Sequence, residues 1–203
     1  MPLARLADFA HLTDNLKDMP WLDKIPRAGN LWIGGLHALY QRPEIFEKER
    51  ITHIVTVLDY DIYSNGDLKH YEHLMLQVDD DPNEELLKHF KETSSFIDTA
   101  LTNGGGVFVH CAMGKSRSAA TVCAYLMSKT AGLSADDALK QVCEGRPVCS
   151  PNPGFMEQLG VWRRMLDVGD DEGRVKEIYR KWKENRFVGD SWTWEKRAKE
   201  AKL

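Results

Sequence analysis

Residues 107–118 constrain this chain more than any other stretch. Val107-Phe108-Val109-His110 reads as a short apolar strand. It passes directly into the polar run Cys111-Ala112-Met113-Gly114-Lys115-Ser116-Arg117, and a helical apolar stripe starts at Ser118 and continues to Thr130. A buried strand that breaks into a tight loop and then a helix is a building block of α/β sheets, and the carboxyl end of such a strand is where ligands usually bind.

The rest of the pattern agrees with that unit. LWIGGLHAL (31–39) begins as a short strand ending at Gly34-Gly35. ITHIVTVLDY (51–60) is β-branched and apolar, which suits a strand covered on both faces. HLMLQV (73–78) alternates. Leu86, Phe90, Ile97 and Leu101 recur at helical spacing over residues 84–101. Ser134 caps a predicted helix running to about Glu144, and Phe155, Leu159, Trp162 and Leu166 mark another. Strands alternating with helices predict an α/β fold, a mostly parallel central sheet flanked by helices. Residues 1–26 read as an accessory arm with a short helix from Leu3 to Leu16, 27–168 as the main domain, and 169–203 as a charged, helical extension. In that extension Val175, Ile178 and Trp182 make a narrow apolar face. It reads as a helix docked on the domain, as an element that binds a protein partner, or as the stub of a further domain.

The segment 110–118 also carries chemistry. A tight loop can turn its backbone N–H groups inward as an anion-binding nest, and Gly114 permits the required backbone conformation. The following helix adds free N–H groups and the positive end of its dipole. A thiolate at Cys111 is stabilised in that field and would be a nucleophile without a separate base. Arg117 can grip two phosphoryl oxygens at once, which lysine cannot. Ser118 is placed to hydrogen-bond the sulfur. Residues 112–117 therefore form the expected phosphate cradle. A buried small hydrophobe is the ordinary reading of a cysteine, but a thiol, a glycine, an arginine and a helix start rarely coincide.

Composition narrows the alternatives. Apolar residues make up 42% of the 203, enough for a core. The net charge of −4, with both signs interspersed, gives no footing for direct nucleic-acid binding. The four cysteines show no metal-ligand spacing and are too few for a secreted disulfide scaffold. No apolar run reaches membrane-spanning length, and the first twenty residues resemble neither a signal nor a transit peptide. A cytoplasmic or nuclear location is expected.

At HCAMGKSRS the chain resembles the dual-specificity protein tyrosine phosphatases. LWIGGLHAL, ITHIVTVL, DDDP, GGGVFVHCAMGKSRSAATVCAYLM and RPVCSPNPGFMEQL occur in the order that family uses, over about residues 27–167. Within the family the chain looks most like the fungal branch with a C-terminal zinc-binding domain, implicated in ribosome maturation. No cysteine cluster follows residue 149, so that zinc domain is expected to be absent or removed.

The resemblance implies a phosphatase that hydrolyses phosphotyrosine and phosphoserine or phosphothreonine in protein substrates through a phosphocysteine, with no metal and no cofactor. Cys111 is the nucleophile, Arg117 stabilises the phosphoryl group, His110 orients the nucleophile and Asn152 supports the loop. The family's general acid is an aspartate on a loop before a helix, here Asp79, Asp80 or Asp81. Asp81-Pro82-Asn83-Glu84 has the form of a capping box, which commits Asp81 to the helix start. Asp79 continues the strand alternation. Asp80 is left to face the pocket, six residues before Leu86 as in the family. Lys115 is either a solvated lysine or a preference for more acidic substrates such as phosphoinositides. Other readings are a phosphatase of non-protein substrates, or a scaffold or ribosome-assembly factor with secondary phosphatase activity.

Overall fold

A computed structural model describes residues 21–62, apart from Arg42, and 68–200. The helix expected from Leu3 to Leu16 lies outside the described residues.

Five strands form one sheet in the order β1-β2-β5-β3-β4. They are β1 (Leu22–Lys24), β2 (Leu31–Gly35), β3 (Ile51–Val57), β4 (Glu72–Leu76) and β5 (Gly106–Cys111). β2, β5, β3 and β4 run parallel, and β1 pairs antiparallel with β2. The mostly parallel α/β architecture read from the sequence is therefore the observed one. β1 comes from the segment read as an arm: Leu22 pairs with Gly34 and Lys24 with Trp32. Three residues are too few to display a period.

The central strand explains the continuous apolar run. Every residue of β5 is buried, and alternate side chains serve opposite faces. Val107, Val109 and Cys111 join a large core with Ile33, Val55, Phe155, Leu159 and Trp162, whereas Phe108 joins a smaller one with Trp21, Leu39 and Phe46. The smaller core is covered by the short helices α1 (Ala38–Gln41) and α2 (Pro43–Lys48). The larger is covered by α3 (Phe90–Thr102), α4 (Arg117–Lys129), α5 (Ala135–Gly145) and α6 (Pro153–Asp167). Two further helices follow, α7 (Glu172–Asn185) and α8 (Ser191–Glu200), and Trp182 of α7 is buried in the larger core. Among the described residues, no helix is long and apolar enough to cross a membrane.

One helix starts later than its sequence predicts. Residues 82–84 form a turn, a 3₁₀ turn spans Leu87–His89, and α3 begins at Phe90. There is no capping box at Asp81. Its Oδ1 accepts from Asn83 N (2.7 Å) and its carbonyl from Glu84 N (3.0 Å). The reason is tertiary. Buried Gln158 of α6 accepts from both Leu86 N and Leu87 N (2.8 Å each) and donates to the Glu84 carbonyl (2.8 Å). The amides that a local cap would satisfy are already held by another helix.

Candidate active site

The loop between β5 and α4 is shaped by what holds its carbonyls. Ala112 O accepts from Leu36 N (3.0 Å), Met113 O from Arg146 Nη2 (3.0 Å), Gly114 O from Arg146 Nε (2.8 Å) and Lys115 O from Ser150 N (2.8 Å). In a trans peptide the carbonyl and the next N–H point in opposite directions. Four carbonyls drawn outward thus turn the N–H groups of Met113, Gly114, Lys115 and Ser116 inward, making the nest predicted from the sequence. Gly114 sits at φ +67°, and a Cβ there would strike the backbone of Gly34. The loop packs directly on the glycine pair that ends β2.

Cys111 stands at the base of this nest, nearly fully buried, with its Sγ 3.3 Å from Ser118 Oγ. His110 touches Cys111 through the latter's backbone: Nδ1 lies 3.3 Å from Cys111 O, and Nε2 lies 2.7 Å from Thr56 Oγ1. The ring stacks on Phe108 at 5.3 Å. Burial pushes the imidazole down to about 4, so it is neutral near pH 7 and braces the strand end.

Arg117 opens α4 with its side chain only 8% exposed. Nη1 donates to Val78 O at 3.1 Å, and its Nε is buried with no acceptor among the described residues. Carboxylates surround it without reaching hydrogen-bond distance: Asp59 at 3.7 Å, Asp79 at 4.0 Å and Asp80 at 4.0 Å. A buried guanidinium with an unmet N–H beside four inward amides is a site built for an anion.

Of the three candidate acids, Asp80 reaches the loop. Its Oδ1 accepts from Ser116 Oγ (2.5 Å) and Asn152 Nδ2 (3.0 Å), leaving Oδ2 toward Arg117. Asp79 is more exposed and accepts from Asp80 N at 2.6 Å, and Asp81 is engaged in its own turn. Asn152 bonds to the loop through its backbone and to Asp80 through its side chain. Its backbone N donates to Ser116 Oγ (3.1 Å), its Oδ1 caps α6 at Phe155 N (2.9 Å), and its amide goes to Asp80 rather than to a loop carbonyl. Lys115 is exposed.

Arg146 is the supporting residue that the sequence did not disclose. It is buried, holds two loop carbonyls and pairs with Asp23 at 2.5 Å. In the sequence Gly145-Arg146-Pro147 looked only like a helix stop, and its partner lies 123 residues away. The remaining cysteines are reduced. Burial pushes the Cys149 thiol up to about 12 and raises Cys123 and Cys143 as well. Among the described residues, no three His, Cys, Asp or Glu side chains assemble a metal site.

Residues 31–165 match the family model for the dual specificity phosphatase catalytic domain. Protein phosphatase Slingshot homolog 3 of Homo sapiens is 40% identical over 123 residues, covering 61% of this chain but 18% of that protein. Dual specificity protein phosphatase 1 of Arabidopsis thaliana is 36% identical over 140 residues, covering 69% of each. The crystal structure of human DUSP28 superposes with a TM-score of 0.66 at 33% identity, over 73% of this chain and 97% of that one. The chain thus spans less than a fifth of the Slingshot relative, and α7 and α8 lie beyond the matched domain.

Proposed function

We propose, since the chain belongs to the dual specificity phosphatase family, that it hydrolyses phosphotyrosine and phosphoserine or phosphothreonine in protein substrates through a phosphocysteine at Cys111. The observation that carries this is the pairing of a buried thiol with Arg117 Nε, buried and without an acceptor among the described residues, across a loop whose four carbonyls are held outward.

The phosphoryl oxygens take the inward N–H groups and the Arg117 fork. The Cys111 thiolate attacks phosphorus in line, the bond to the leaving oxygen breaks, and Asp80 gives that oxygen its proton. The sulfur then leaves, eased by the Ser118 hydroxyl at 3.3 Å, as water attacks the phosphocysteine and Asp80 takes its proton. Inorganic phosphate and the thiolate are the products. The carboxylates of Asp59, Asp79 and Asp80 near the pocket oppose heavily phosphorylated small molecules and outweigh Lys115, which supports a protein substrate. Four free thiols and a thiolate mechanism suit a reducing compartment, the cytoplasm or nucleus.

The test is turnover of phosphotyrosine and phosphothreonine peptides and of an inositol phosphate, by wild type and Arg117→Lys. Wild type should turn over both peptides. The variant should lose about 10²-fold or more, because lysine keeps the charge but not the fork. A near-normal rate for Arg117→Lys would remove it from the site. Turnover of the inositol phosphate alone would overturn the protein-substrate reading.

A further inference from the structure

The turn after Asp80 is held from outside the matched domain. Asn83 Nδ2 donates to Gly189 O (2.9 Å), and Asn83 Oδ1 accepts from Gly189 N (3.0 Å) and from Trp194 Nε1 (3.0 Å). Trp194 is buried and meets Phe187 edge-on at 4.9 Å. Two residues further, Glu85 accepts from the Tyr179 hydroxyl and pairs with Lys183 at 3.3 Å. Burial opposes ionisation of Glu85, yet Tyr179 and Lys183 together hold its carboxyl below the usual range.

These contacts converge on one short segment. Asn83 lies three residues from Asp80, and its backbone N–H is bound by Asp81 Oδ1. Gln158 fixes the far end of the same turn from α6. A side chain whose donor and acceptor are both occupied by one distant segment sets a backbone position more firmly than a surface ion pair does. Tyr179 and Lys183, four residues apart on α7, present one face to Glu85.

We infer that α7, α8 and the loop between them position the general acid, the loop and α8 through the positioning residue Asn83 and α7 through Glu85. The inference rests on the assignment of Asp80 as that acid. A shift of about 1 Å in a reacting group can cost up to about 10²-fold, so loosening this turn weakens proton transfer while leaving the phosphate nest intact.

A double-mutant cycle tests it, using Asn83→Ala, Asp80→Asn and both together. Each is assayed on a phosphoserine peptide and on an aryl phosphate with a good leaving group. Asn83→Ala should lose between about tenfold and about 10²-fold in kcat on the phosphoserine peptide. On the aryl phosphate it should change little. KM and vanadate affinity should stay near wild type, and the basic limb of the pH–rate profile should flatten. In the Asp80→Asn background, Asn83→Ala should add nothing. Trp194→Phe keeps the ring against Phe187 and removes only one donor. It should show a smaller loss of the same kind, and it carries the test if Asn83→Ala does not fold. Equal losses on both substrates, or fully additive effects, would overturn the inference. If Asp80→Asn itself shows no dependence on leaving group, the assignment of the acid has failed instead.

Discussion

His110 precedes Cys111 and contacts it through the backbone, and burial leaves its imidazole poorly suited to carry a charge. Burial pushes it down from 6.5 to about 4. Above about pH 6.5 the ring is neutral in both folded and unfolded chains, so its contribution to stability is complete. As pH falls below that, the unfolded chain takes up a proton that the folded one refuses, and stability drops until the pH passes about 4. The loss is about 3 kcal/mol at most. Urea unfolding between about pH 7 and pH 5 should show this slope in wild type and a flatter one in His110→Asn, whatever the absolute stability of the variant. An unchanged slope would mean that the ring is not held neutral. At this scale the structure brings together residues that the sequence singled out by identity alone, Cys111 with Ser118, and Asp80 beside Arg117. The sequence did not disclose how Asn152 is used, because that depends on Asp80 lying 3.0 Å away across 72 positions.

The strand–loop–helix unit of residues 106–129 was legible because its apolar period, its glycine and its helix start are all local. What braces the loop was not. Arg146 binds the Met113 and Gly114 carbonyls and balances Asp23, whose carboxyl burial pushes up even with the guanidinium beside it. Arg146→Met would remove the guanidinium from both carbonyls and from a partly buried carboxylate, at a cost of about 3 kcal/mol. It should also loosen the nest, so phosphate affinity should fall along with the melting temperature. A variant with wild-type stability and wild-type vanadate affinity would show that Arg146 does not brace the loop. The same division separates β3, read from its β-branched run, from the start of α3. There the local capping pattern at Asp81 gave way to Gln158, 72 residues from Leu86.

Across the whole molecule, a parallel sheet places the carboxyl ends of β5 and β2 side by side. Cys111 pairs in register with Gly35, and the nest sits over that edge. α7 and α8 wrap from the larger core to the turn after Asp80, joining the fold's last segment to its chemistry. The apolar face of Val175, Ile178 and Trp182 was visible in the sequence, and Trp182 sits in the larger core with Ile178 packed against it. This arrangement supports the proposal that phosphorus is transferred to Cys111. The direct measurement is a rapid acid quench of wild type during turnover of a labelled phosphotyrosine peptide, followed by peptide mapping. Label should appear on Cys111 within the first turnover, accumulate in a variant slowed at Asp80, and be absent from Cys111→Ser, which should still bind vanadate. Turnover without label on Cys111, or sustained turnover by Cys111→Ser, would contradict the account.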